Sequence, residues 1–151
     1  MNQERTESDI DNPTAGDRAS SHLKKRLLLI NPSNPMVSIV QTGSNRMSRY
    51  RIWKPLGLLV LASLTPEDWE VTVVDENVRI PDYSLFPKPD LVGITAFTSQ
   101  APRAYELSSR FRSSGSSVVL GGIHATMRRE EAALHADAVV AGEAEGVWGQ
   151  V

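Results

Sequence analysis

Six consecutive residues, Gly121-Gly122-Ile123-His124-Ala125-Thr126, bring together two glycines, an imidazole and a hydroxyl. Paired glycines at a strand end remove two side chains where a bulky ligand or a neighbouring backbone must come close. A tight turn into a helix makes the same demand. Imidazole suits transition metals, so His124 is a candidate ligand, with a hydrogen bond to a bound molecule or to local backbone as the other use. Thr95 and Thr98 place two hydroxyls after another apolar run, where they either meet a ligand or cap the next helix. Asn31-Pro32 closes the first apolar run, and Gly142-Glu143-Ala144-Glu145 follows the last. Acidic residues in that place suit the first turn of a following helix, by about 0.3–1 kcal/mol. No catalytic constellation is visible: there is no Ser-His-Asp order, no carboxylate pair with an evident role and no metal-ligand cluster.

The elements that must position these residues alternate in type. Leu27 to Ile30, Val71 to Val74, Leu91 to Ile94, Val118 to Leu120 and Ala138 to Ala141 read as short strands, several of them continuously apolar and so buried on both faces. Between them, Leu56 to Leu64 is apolar nearly all round, as a helix buried against a sheet would be, and Pro55 fits its first turn. Ala101 to Arg112 is amphipathic, with Ala104, Leu107 and Phe111 on one face. Arg128 to His135 predicts a shorter helix with Thr126 as its N-cap. Strands alternating with helices imply parallel pairing and right-handed crossovers. The expectation is an α/β, flavodoxin-like (Rossmann-like) five-stranded parallel sheet of order 2-1-3-4-5, with helices on both faces. Ligands of such sheets bind at the carboxyl ends of the strands, the edge that carries Asn31, Thr95, Gly121 and Gly142.

Composition sets the remaining bounds. The chain has 151 residues, 40% of them hydrophobic, a net charge of −2 and no cysteine. Disulfides, thiolate zinc sites and a thiolate-held iron–sulfur cluster are thereby excluded from this chain. Residues 1–24 are polar and are expected to form a disordered leader, with the domain over 25–151. The segment from Asn31 to Lys54 is long for a loop of this fold and holds several apolar residues that need something to cover. Lys24-Lys25-Arg26 and three nearby arginines are too few for a nucleic-acid footprint. No window approaches the roughly 18–20 apolar residues of a membrane span. The expected compartment is the cytoplasm.

Several spaced motifs then agree in order. Gly121 to Thr126 is followed by Glu130-Glu131-Ala132 and by Asp137-Ala138-Val139-Val140-Ala141-Gly142-Glu143-Ala144-Glu145. Asn31-Pro32 and Lys54-Pro55-Leu56-Gly57-Leu58 lie upstream. Together they resemble the cobalamin (B12)-binding N-terminal domain of B12-dependent radical SAM proteins, which reads G-G-x-H-A-T, then E-E-A, then D-x-V-V-x-G-E-x-E. The resemblance implies a corrinoid cofactor held by Asn31, Pro32, Thr95, Thr98, Gly121, Gly122, His124, Gly142 and Glu143. In similar domains the nucleotide tail lies beside the paired glycines, with hydroxyls at the Thr95 and Thr98 positions near its base, and Glu143 would face a companion catalytic domain. The D-x-H-x-x-G histidine of other B12 domains is replaced here by Asn31-Pro32-Ser33-Asn34-Pro35-Met36. No protein histidine is therefore expected as the lower cobalt ligand, and His124 is assigned to hydrogen bonding.

The chain departs from a complete radical SAM enzyme, because the C-x-x-x-C-x-x-C run is missing. The expectation is a cobalamin-binding module without catalysis of its own, resembling the N-terminal part of a methyltransferase-like enzyme and truncated before the radical SAM domain that would be its partner. The competing reading is a degenerate, ligand-free interaction module of the same fold. A dinucleotide site would need G-x-G-x-x-G after the first strand, where Asn31-Pro32-Ser33 stands instead. A phospho-receiver would need an acid cluster there and an Asp after the third strand, where Ile94-Thr95-Ala96-Phe97 stands.

Overall fold

The computed structural model describes residues 24–36 and 54–151. Five parallel strands form one sheet of order β2-β1-β3-β4-β5: β1 (Lys25–Asn31), β2 (Trp69–Asp75), β3 (Leu91–Thr95), β4 (Ser117–Gly121) and β5 (Ala138–Val139). The expected fold and strand order are borne out. The last strand is shorter than its apolar run suggested, although the Val140 amide still donates to the Leu120 carbonyl at 2.9 Å. The leader and most of the segment between Asn31 and Lys54 lie outside the described residues.

Strand periodicity divides the core into two layers. Leu28 and Ile30 of β1, Val92 and Ile94 of β3, and Val118 and Leu120 of β4 face α2 (Ala101–Ser113), which packs Ala104, Leu107 and Phe111 against them. Ala125 and Ala132, from the short helices α3 (Gly122–Met127) and α4 (Arg129–Ala133), complete this layer. On the other face, Leu27 and Leu29 meet Leu58 and Leu61 of α1 (Leu56–Leu64) and the indole of Trp148. This second layer is thin: among the described residues it is covered by α1, the 3₁₀ turn Trp148–Gln150 and Ala144 after β5. Between them the sheet face is left open.

The helix α1 packs on the sheet through Leu58 and Leu61, as expected, whereas Leu56, Leu59, Val60 and Leu64 are exposed among the described residues. One expectation about helices needs correction. The helix predicted from Arg128 to His135 is the shorter α4, and a further helix, α3, precedes it; the two meet at Arg128, where φ is −129° and ψ is 48°. Thr126 therefore lies inside α3 and is not an N-cap. Gly122 makes this early helix start possible. Its φ of +85° turns the chain straight from β4 into α3, a conformation only glycine adopts at low cost.

A buried polar cluster anchors the β1 and β2 loops. The carboxylate of Glu76 is fully buried and accepts from the Ser33 amide at 3.0 Å, the Tyr83 hydroxyl at 3.1 Å, and Arg103 Nε and Nη2 at 3.0 and 2.6 Å. Burial alone would raise its pKa. The Arg103 guanidinium, the Ser33 amide and the Tyr83 hydroxyl together outweigh that and hold it below the ordinary carboxylate value. Asn77 Nδ2 donates to the Pro32 carbonyl at 3.0 Å, and Gln100 Nε2 donates to that carbonyl and to Asn31 Oδ1. Pro32 is thereby sealed inside the protein, its side chain fully buried.

Candidate functional site

The open part of the thin face is a cavity of about 310 Å³ at the carboxyl ends of the strands. Register builds its floor. Leu29, Gly93 and Val119 lie side by side across β1, β3 and β4, and two residues further on Thr95 lies beside Gly121. Odd-numbered positions of these strands all point to the cavity side. Leu58 and Leu61 of α1 form one wall, and Gly142, Glu143 and Ala144 after β5 form another. Asn31 stands at the rim, its Nδ2 donating to Asp75 Oδ1 at 3.1 Å.

The paired glycines do different jobs. A Cβ on Gly122 would lie 2.6 Å from Thr95 Oγ1, 3.0 Å from the Ala96 nitrogen and 3.1 Å from the Ala96 oxygen. The missing side chain there admits the protein's own backbone, and the His124 amide bonds the Ala96 carbonyl at 2.9 Å. Gly121 is the opposite case. Its backbone is extended, with φ −140°, and a Cβ would meet only the Val140 carbonyl, at 3.8 Å. Its open side is the cavity floor. Gly142, with φ +80°, likewise has nothing within 4 Å of a Cβ.

Of the nine residues predicted for the site, Asn31, Thr95, Gly121, Gly122, Gly142 and Glu143 line this cavity. Pro32, Thr98 and His124 do not. His124 is only 3% exposed, and its ring is occupied within the protein. Nε2 lies 2.7 Å from the Tyr105 hydroxyl and Nδ1 lies 3.4 Å from Thr98 Oγ1. These partners hold the His124 ring on the α2 side of the sheet, away from the cavity. Tyr105 also donates to Glu131 at 3.2 Å and stacks on His135, with ring centroids 3.8 Å apart. Burial, with the nearby Glu131 carboxylate adding to it, pushes the Tyr105 hydroxyl up to about 12. Neither threonine caps a helix by its side chain: Thr95 packs against Gly122, and Thr98 opens the 3₁₀ turn Thr98–Gln100.

Two contributors were missed. Thr126 Oγ1 donates to the Gly122 carbonyl and accepts from the Gly142 amide, both at 2.9 Å, and so ties the β5 loop to the start of α3. Trp148 closes the inner end of the cavity, 8% exposed, with Nε1 donating to Thr65 Oγ1 at 2.9 Å. A lone tryptophan three residues beyond Glu145 was a usable signal, because so large a side chain usually finds cover.

A doubly wound parallel sheet with a glycine-floored cavity at its carboxyl edge defines a ligand-binding α/β domain, in the place such sheets use for ligands. Residues 45–151 match the family model of the B12 binding domain. The chain belongs to that family, and the resemblance read from its motifs is borne out. It is 46% identical over 103 residues to the bacteriochlorophyllide d C-8(2)-methyltransferase of Chlorobaculum tepidum, covering 63% of this chain and 22% of that protein. It is 34% identical over 130 residues to the bacteriochlorophyllide d C-12(1)-methyltransferase of the same organism, covering 86% and 27%. The hopanoid C-2 methylase of Rhodopseudomonas palustris is 34% identical over 68 residues, covering 45% and 13%. The chain thus spans about a quarter of the length of the first two relatives. No solved structure matches it. No helix among the described residues is long and apolar enough to cross a membrane, and among them no group of three or more His, Asp or Glu residues is placed to hold a metal.

Proposed function

We propose that this chain binds a corrinoid through its nucleotide tail and presents the cofactor to a radical SAM domain or protein that performs the chemistry, in the cytoplasm. The observation that carries the reading is the open side of Gly121. Space beside an extended, unstrained glycine serves no backbone contact, and it lies on the floor of a cavity in a B12-binding family member. At about 310 Å³ the cavity is at the small end of small-molecule sites, about 300–1,000 Å³. That is room for a tail and not for a whole corrinoid, so the macrocycle belongs outside it. Gly121, Thr95, Val119 and Gly142 would hold the tail, with Asn31 and Glu143 at the rim. When bound, the corrinoid supplies a methyl group or assists radical chemistry, and the protein supplies orientation and shielding. His124, enclosed by Tyr105 and Thr98, leaves the cobalt without a histidine from that position. The methyltransferase and methylase names of the relatives support methyl transfer as the activity of a full-length protein.

Titration with cobalamin, followed by its visible absorbance, tests this. One equivalent retained through gel filtration is expected. Complete loss of cobalamin refutes the reading and leaves the ligand-free interaction module.

A further inference from the structure

The cavity is graded in polarity from rim to interior. Its outer row carries the side chains of Asn31 and Thr95, with Gly121 beside them. Two residues deeper, the row of Leu29, Gly93 and Val119 offers no side-chain hydrogen-bonding group. The indole of Trp148 lies over the Gly93 position of that row. A Cβ on Gly93 would lie 3.6 Å from Trp148 Cη2 and 2.7 Å from Leu29 Cδ2, so the glycine lets both side chains lie across the sheet. The indole is held in place. Its N–H donates to Thr65 Oγ1, and the Thr65 hydroxyl donates in turn to the Leu61 carbonyl at 2.8 Å. Its packing against Leu29, Leu58 and Leu61 leaves it 8% exposed.

A ligand that matches this gradient has a polar linker at the rim and a flat, mainly apolar ring inside. We infer that Trp148 is a specificity-determining residue, the inner aromatic wall that recognises the planar base of a nucleotide tail. The site therefore selects corrinoids carrying an aromatic base over those lacking one. This rests on the corrinoid reading above. Base–aromatic stacking is strong enough to matter, since losing one such contact costs on the order of tenfold in affinity or more.

The test compares the unaltered chain with Trp148→Leu, which keeps apolar bulk but removes the aromatic face, and with Trp148→Phe, which restores an aromatic face. Cobalamin and tail-less cobinamide are titrated into each, with folding checked by far-UV circular dichroism. Trp148→Leu is expected to weaken cobalamin binding by about tenfold or more, to leave the response to cobinamide unmoved, and to be largely rescued by Trp148→Phe. Wild-type cobalamin affinity in Trp148→Leu, equal losses for cobalamin and cobinamide, or no rescue by phenylalanine would each overturn the assignment while the corrinoid reading stands. Failure of the unaltered chain to bind cobalamin would overturn both.

Discussion

Adjacent glycines with opposite reasons to be glycine give the sharpest prediction. At Gly122 an alanine meets two penalties. The left-handed φ of +85° costs about 1–2 kcal/mol for an L side chain. The Cβ also arrives 3.0 and 3.1 Å from backbone atoms of Ala96 and 2.6 Å from Thr95 Oγ1. The threonine can turn away, but the Ala96 backbone is fixed by the His124 amide, so a further strain of about 1–2 kcal/mol is expected. Gly122→Ala should therefore lose about 2–4 kcal/mol, or roughly 4–16 °C in Tm at this chain length. At Gly121 the same methyl finds extended backbone and a nearest neighbour at 3.8 Å. There the reduced freedom of the unfolded chain stabilises by about 0.4–1 kcal/mol. Thermal and urea unfolding of the two variants measure the difference. Equal stability, or a Gly121→Ala variant less stable than Gly122→Ala, would refute the division of labour. Binding should sort the other way. Gly121→Leu fills the cavity floor and should lower cobalamin affinity at least tenfold with Tm within a few degrees of the unaltered chain.

Glu76→Gln breaks a buried charge pair and should destabilise by about 3 kcal/mol in urea unfolding. The native pKa of Glu76 lies below its ordinary value of 4.5, so its stabilisation is complete above about pH 4.5 and is lost as pH falls through the native value. Unfolding free energy measured from pH 6 to pH 3 should fall less steeply in the variant, and identical slopes would contradict the ion-pair reading. Thr126→Val removes the tie between Gly122 and Gly142; about 1 kcal/mol of stability should go, along with part of the cobalamin affinity, and a variant indistinguishable in both would show the tie to be idle. His124→Gln should lower Tm while leaving unchanged the electron paramagnetic resonance spectrum of bound cobalamin reduced to Co(II). Loss of nitrogen hyperfine structure in the variant would instead make His124 a cobalt ligand.

Much of the site could be read before the fold was known, because strand ends and glycines leave local marks. Leu27 to Ile30 is continuously apolar since both faces of a central strand are covered. The residues Asn31, Thr95, Gly121 and Gly142 were placed at one edge by parallel topology alone. Local pattern failed where a residue's surroundings come from distant chain. Thr126 resembled a cap until Gly142, sixteen residues on, was seen to donate to it. His124 resembled a ligand, yet its ring is enclosed by Tyr105 and Thr98, from the α2 and β3 side of the sheet.

Composition and the alternation of short apolar runs with helical stretches determined the architecture of this protein, since parallel strands joined by helical crossovers admit few other packings. The 151 residues contain no cysteine, also a property of the sequence alone, so none of them can supply a thiolate ligand. Tertiary structure decided which glycine serves the fold and which the cavity, and it placed Trp148 at the inner wall. Both follow from distances across the sheet, between Gly122 and Ala96 and between Trp148 and Gly93, that no spacing along the chain encodes.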